Sequence, residues 1–185
     1  SINYDTKYIN WVLNFKNYSS SGDTGIFLSK PLVANEEKIL ITTKTSLLSY
    51  DLSTGEKKWT MPLAPELRPI ISNENVFLFT KKKLLICLDI NTGEIIWSKK
   101  VFNQIQNKKI RIKKEKTTGE IKNLIIAGTE LHLLTSNGFL LSFNYLNGNI
   151  KSFNKISKNG ISAEPLFIEG NMFIFDKKNK LLKFN

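Results

Sequence analysis

The sequence predicts an all-β fold assembled from repeated four-stranded sheets. Three observations carry that prediction. A nine-residue pattern recurs at a shift of 38 residues: Asp51-Leu-Ser-Thr-Gly-Glu-Lys-Lys-Trp59 returns as Asp89-Ile-Asn-Thr-Gly-Glu-Ile-Ile-Trp97. The segments around it are short runs of apolar, β-branched and aromatic residues, too short for an amphipathic helix. Glycine-bearing polar turns separate those runs. Four short strands in one period of this length are the pattern of a β-propeller blade, and the chain of 185 residues holds about four such periods, a partial or half propeller.

The elements follow in order. In the first copy, residues 31–34 are a short strand that tolerates proline at its start. Residues 38–43 and 47–52 are two central strands, and residues 57–61 are the fourth. Between the last two lies Ser53-Thr-Gly-Glu56, a tight turn in which Gly55 supplies the positive φ. The Asp51 carboxylate is placed to accept hydrogen bonds from the turn's backbone amides. The second copy repeats the entry strand as well, Pro31-Leu-Val-Ala-Asn35 returning as Pro69-Ile-Ile-Ser-Asn73. The third copy keeps Asn144 and Gly148, but Ser152 stands where the others have tryptophan. Gly148 follows Gly93 by 55 residues, so this copy carries about 17 inserted residues. The fourth copy starts at Pro165 and stops after its third strand. The expected blades are therefore 31–63, 69–101, 124–156 and 165–185 of a single domain over 1–185. Central runs such as Val76-Phe-Leu-Phe79 are apolar on both faces, as sheets stacked face to face require.

Residues 8–15, Tyr8-Ile-Asn-Trp-Val-Leu-Asn-Phe15, read as an orphan strand whose Trp11 stands in the fourth-strand position. It is a candidate for the strand that the fourth copy lacks. Three arrangements remain open: closure of one chain into a small ring, exchange of edges between two chains in a closed dimer, and a piece of a longer propeller. An open set of blades exposes apolar faces and unpaired edges, so self-association is expected.

Composition excludes much chemistry. Cys87 is the one cysteine and His132 the one histidine, so no internal disulfide, structural zinc site or thiol–imidazole pair can form. No catalytic, cofactor-binding or metal-ligating set is legible. Cys87, between Ile86 and Leu88, reads as a buried thiol. His132 reads as a tolerated strand residue at the place of Ile39, Phe77 and Phe173. The Ser19–Gly25 stretch lacks the Gly-Lys-Ser/Thr ending of a phosphate loop and reads as a connection. No run of 18 apolar residues offers a helical membrane span. No signal segment opens the chain at Ser1, which fits removal of a leader.

The formal net charge is +11, from 27 Lys and Arg against 16 Asp and Glu. Only Arg68 and Arg111 are arginine, and Asn, Ile and Phe are abundant, a bias that the codon pressure of an AT-rich genome explains. Nucleic-acid readers favour arginine's planar fork, so a nucleic-acid partner is not expected. The insertion, residues 102–123, is expected as a hairpin or loop with a turn at Thr117–Glu120. Its Lys108, Lys109, Arg111, Lys113, Lys114 and Lys116 form a candidate patch for an acidic partner or for peripheral contact with anionic lipid head groups. A solvated, compositionally biased loop is the alternative.

The run Asp-x-x-x-Gly-x-x-x-Trp resembles the tryptophan-docking motif of the PQQ-type β-propeller repeats. Asp51, Gly55 and Trp59 match it, as do Asp89, Gly93 and Trp97, while Asn144 and Gly148 keep part of it. The resemblance implies that each tryptophan packs on the neighbouring blade's turn and gives its indole N–H to a backbone acceptor. Stacking on a cofactor is the other reading. Within the superfamily, residues 124–148 are similar in layout to blades of the BamB branch. That resemblance implies a non-catalytic scaffold with no cofactor, periplasmic and lipid-anchored to the outer membrane, docking on the outer-membrane β-barrel assembly machinery. The quinoprotein dehydrogenases share the docking motif, but they need calcium-bound PQQ and a vicinal cysteine pair that a single cysteine cannot supply. A fragment of such an enzyme, or an adaptor or ligand-binding propeller of other function, are the alternatives.

Overall fold

The computed structural model describes residues 1–13, 32–104 and 116–184. These form antiparallel meanders, each strand joined to the next by a tight turn. The first sheet is β1 (Val33–Ala34), β2 (Lys38–Thr42), β3 (Leu47–Asp51) and β4 (Lys57–Met61). The second is β5 (Ile70–Ser72), β6 (Asn75–Phe79), β7 (Leu84–Asp89) and β8 (Ile95–Lys100). The third is β9 (Ile121–Ala127), β10 (Glu130–Thr135), β11 (Phe139–Asn144) and β12 (Ile150–Lys155). The fourth has three strands, β13 (Leu166–Ile168), β14 (Asn171–Phe175) and β15 (Leu181–Phe184). In every sheet the spatial order equals the chain order. The fold is an all-β set of propeller blades, three of them four-stranded among the described residues.

The chain divides into two compact units, residues 1–81 with 86–96, and residues 82–85 with 97–185; the division falls inside the second sheet. In the first unit the ladder pairs Val33 with Leu40, Leu40 with Ser49 and Ser49 with Trp59. Directly paired residues share a face, so these four line one side of the blade. Ile39, Ile41, Leu48 and Tyr50 line the other, where Leu13 joins them. Both faces are covered, which is why β2 and β3 read as nearly continuous apolar runs rather than alternating ones.

The second unit repeats the register. Ile125 pairs with His132, His132 with Ser142 and Ser142 with Ser152. The ladder slips between Ser49 and Tyr50 in the first blade and between Ser142 and Phe143 in the third, a bulge at the same place in both. A cluster of Leu134, Ile161 and Ile174 joins the third blade to the fourth, with Ile125, Leu140, Met172 and Leu182 packed around it.

Several boundaries differ from the sequence expectation. Residues 8–13 form no strand: Ile9 makes an isolated antiparallel bridge to Ile2, and residues 14 and 15 lie outside the described residues. A fourth strand takes its ladder from a third-strand neighbour, and no described residue of this unit supplies one. The first strand is Val33–Ala34, and Pro31 lies outside the described residues. The insertion does not begin as a loop. Val101–Gln104 is a 3₁₀ turn that buries Val101 and Phe102, with the Val101 N–H on the Lys83 carbonyl. At its far end residues 116–118 are helical, Thr118 is buried and Gly119 has φ of 74°. The strand that follows starts at Ile121 rather than at 124. His132, opposite Ser142, holds the ladder place of Leu40, not of Ile39. The Ser19–Gly25 stretch lies outside the described residues.

Candidate functional site

The repeated motif builds a turn and a plug. In the first blade Asp51 Oδ1 accepts from the Ser53 N–H at 3.0 Å, the Thr54 N–H at 3.0 Å and the Ser53 hydroxyl at 2.6 Å. These hydrogen bonds hold the carboxyl well below the usual carboxylate range, the Ser53 hydroxyl contributing most. In the second blade Asp89 Oδ1 accepts from the Asn91 and Thr92 N–H groups, both at 2.8 Å, and is lowered for the same reason. Asn144 makes the uncharged version, accepting from the Leu146 N–H at 2.8 Å. Each turn passes through a glycine in the left-handed region: Gly55 and Gly93 at φ of 74°, Gly148 at 68°.

The plug arrives from the preceding fourth-strand position. Trp59 Nε1–H donates to the Ile90 carbonyl at 2.8 Å, and Trp97 Nε1–H donates to the Tyr145 carbonyl at 3.2 Å. Both indoles are 9% exposed. Each ring lies against the motif glycine of the blade it enters, Trp59 on Gly93 and Trp97 on Gly148. Trp11 does the same without belonging to a strand: its Nε1–H donates to the Leu52 carbonyl at 3.0 Å and its ring lies on Gly55. The structure thus brings Asp51, Gly55 and Trp11 together, then Asp89, Gly93 and Trp59, then Asn144, Gly148 and Trp97. The second and third motifs are each assembled from two consecutive copies, the first takes its tryptophan from outside the repeats, and the Trp59 and Trp97 indoles are buried against the turns they enter.

One member of the third station went unread in the sequence. The Gln104 amide donates to the Gly148 carbonyl at 3.0 Å and accepts from the Ile150 N–H at 2.7 Å, strapping the turn that receives Trp97. Its position in the insertion, outside the 38-residue period, removed the only signal that would have found it.

The third blade departs from the others on the face that carries His132. There the row is Ile125, His132, Ser142 and Ser152, with no tryptophan at its end. His132 Nδ1 is 3.0 Å from the Ser142 hydroxyl, and burial pushes the imidazole below its ordinary value. Cys87 is buried, and burial pushes its thiol up to about 12.

Of the basic patch, Lys116 is described and exposed, while Lys108, Lys109, Arg111, Lys113 and Lys114 lie outside the described residues. The insertion's exit is pinned by the Asn137 amide on the Thr117 carbonyl and by the Ser136 hydroxyl, which accepts from the Glu120 N–H. Lys122 pairs with Glu120. Among the described residues no group of three or more His, Cys, Asp or Glu converges on a metal-sized site. No helix among them is long and apolar enough to cross a membrane.

Comparison with known proteins places this arrangement. No curated protein matches the chain in sequence. Among solved structures, BamB from Moraxella catarrhalis superposes with a TM-score of 0.61 at 17% identity, covering 83% of this chain and 45% of that one. The computationally designed Ika4 protein superposes with a TM-score of 0.63 at 12% identity, covering 90% of this chain and 94% of that one. A europium-containing methanol dehydrogenase superposes with a TM-score of 0.55 at 14% identity, covering 82% and 40%. The chain thus spans less than half the length of the BamB structure. The family model described as outer membrane protein assembly factor BamB matches residues 19–184. With that match over nine-tenths of its length, the chain belongs to the BamB family of PQQ-type β-propeller repeat proteins.

Proposed function

We propose that the chain is a non-catalytic propeller scaffold that mediates protein–protein contact, with a BamB-like part in the assembly of outer-membrane β-barrel proteins. In this reading it works in the periplasm, lipid-anchored to the outer membrane in the full-length protein. The family match over residues 19–184 carries the proposal. The motif supports it too, since the indoles of Trp59 and Trp97 are spent on neighbouring turns and offer no open face to a cofactor. The methanol dehydrogenase likeness is one of fold alone, and fold does not carry activity.

The contact surface we propose is the basic insertion, Lys108, Lys109, Arg111, Lys113, Lys114 and Lys116, facing an acidic segment of the partner. Site-specific photo-crosslinking from Lys116 in cells tests both statements. The expected adduct is a component of the outer-membrane assembly machinery, and it should vanish when the other five positions are changed to glutamate. Adducts unaffected by that reversal would discard the patch. Turnover of an alcohol with PQQ and calcium by the purified chain would discard the scaffold reading.

A further inference from the structure

We infer that the end of the third and fourth sheets that carries the β10–β11 and β14–β15 turns is a contact surface for the anionic head groups of a phospholipid leaflet. Charge is sorted by end. The β14–β15 turn presents Lys177, Lys178 and Lys180, and the loop before β13 presents Lys158, all exposed. The opposite end, with the β9–β10 and β13–β14 turns, carries Glu130 and Glu169. The first unit, taken by itself, follows the same rule. Its β1–β2, β3–β4, β5–β6 and β7–β8 turns bring Glu37, Glu56, Glu74 and Glu94, and its β2–β3 turn brings Lys44. Codon pressure sets how many lysines a chain carries, not the end of a sheet on which they fall.

The four lysines are held in place and left to solvent. Asp176 holds the position of Thr80: each makes an isolated bridge to the incoming chain, Asp176 with Ile161 and Thr80 with Pro65. The Asp176 residue is 2% exposed. Its Oδ1 accepts from the Lys178 N–H at 2.8 Å and the Lys180 N–H at 2.9 Å, and its Oδ2 from the Asn159 amide at 2.7 Å. One buried carboxylate thus braces the lysine turn and ties the Lys158 loop to it. Among the described residues none of the four lysines forms an ion pair. Glu120, whose carboxyl feels Lys177, is already paired with Lys122. At the opposite end Lys151 is paired with Glu130 at 2.8 Å.

The chemistry favours lipid over an acidic protein segment. Sites that read carboxylates use arginine's planar fork, and the second unit has no arginine among its described residues. Lysine is a point charge on a flexible stem, which suits the surface potential of a charged leaflet.

Cosedimentation of the 185-residue chain with vesicles tests the inference. It needs no partner protein, so it can fail without the assembly role failing. The chain should bind vesicles that contain phosphatidylglycerol and not vesicles of phosphatidylcholine alone, and it should be released as salt is raised. Lys158→Gln, Lys177→Gln, Lys178→Gln and Lys180→Gln together should weaken binding at least about 100-fold and leave the circular dichroism spectrum unchanged. Lys7→Gln, Lys57→Gln, Lys58→Gln and Lys151→Gln, at exposed positions outside this end, remove the same charge and should bind within about threefold of the native chain. Equal losses in the two variants, or no preference for phosphatidylglycerol, would overturn it. Binding to soluble poly-glutamate and not to vesicles would overturn it too, and would assign the surface to an acidic protein segment.

Discussion

A Cβ placed on Gly93 would stand 2.7 Å from Cδ2 of Trp59. The repeat therefore needs glycine twice over at this position: once for its φ of 74°, and once because the incoming indole takes the space of a side chain. Gly170 separates the two demands. Its φ is 75°, yet nothing lies within 4 Å of an added Cβ. Gly170→Ala should cost about 1–2 kcal/mol, the left-handed penalty alone. Gly93→Ala should cost about 2–5 kcal/mol, because overpacking adds to that penalty. Chemical denaturation of the two variants checks the difference. Equal costs would mean that the ring yields freely.

The Trp59 indole combines burial with one directed bond, and two substitutions divide them. Trp59→Phe keeps a ring in the socket but leaves the Ile90 carbonyl without its 2.8 Å donor, and should cost about 1 kcal/mol or somewhat more. Trp59→Ala should cost about 3–5 kcal/mol, as for other buried aromatic truncations. If both variants lose the same amount, the bond and not the packing holds the station.

Much of this was legible because repetition makes the sequence its own alignment. The shift of 38 residues exposed the Asp–Gly–Trp pattern, and with it the turn and the strand order, while the plug followed from that pattern's resemblance to the tryptophan-docking motif. What stayed hidden broke the period or needed a partner in space. Gln104 sits in the insertion, so no second copy marked it as a strap on Gly148 and Ile150. Residues 8–13 carry fourth-strand alternation, but strand formation depends on a neighbouring ladder that composition cannot reveal. His132 was misplaced by one residue, since its true counterpart, Leu40, is fixed by the pairing of each with a serine.

The acid limb of stability should depend on Asp51 and Asp89. Both carboxyls are held low by turn hydrogen bonds. A lowered folded pKa contributes stability that is present above the unfolded value, about 3.9, and is lost as pH falls through the folded value. Asn144 shows that an amide serves the same turn. Asp51→Asn with Asp89→Asn should therefore fold, and should flatten the loss of stability below about pH 4. Thermal melts across that range check it; an unchanged acid limb would place the sensitivity elsewhere.

His132 governs a second pH window. Burial lowers its pKa, so the unfolded chain binds the proton first. Stability from the neutral imidazole is complete above the unfolded value, about 6.5, and falls as pH drops below it. The charged groups that face the ring are Glu130, which opposes the shift, and Lys151, which adds to it. His132→Leu should remove this pH dependence without loss of fold, because Leu40 opposite Ser49 is that combination in the first blade. Ser49 Oγ is buried there without a hydrogen-bond partner, so the blade tolerates the hydroxyl that the variant would leave at Ser142. Melting temperatures at pH 5.5 and 7.5 should diverge for the native chain and converge for the variant, and parallel curves would show that the imidazole stays neutral throughout.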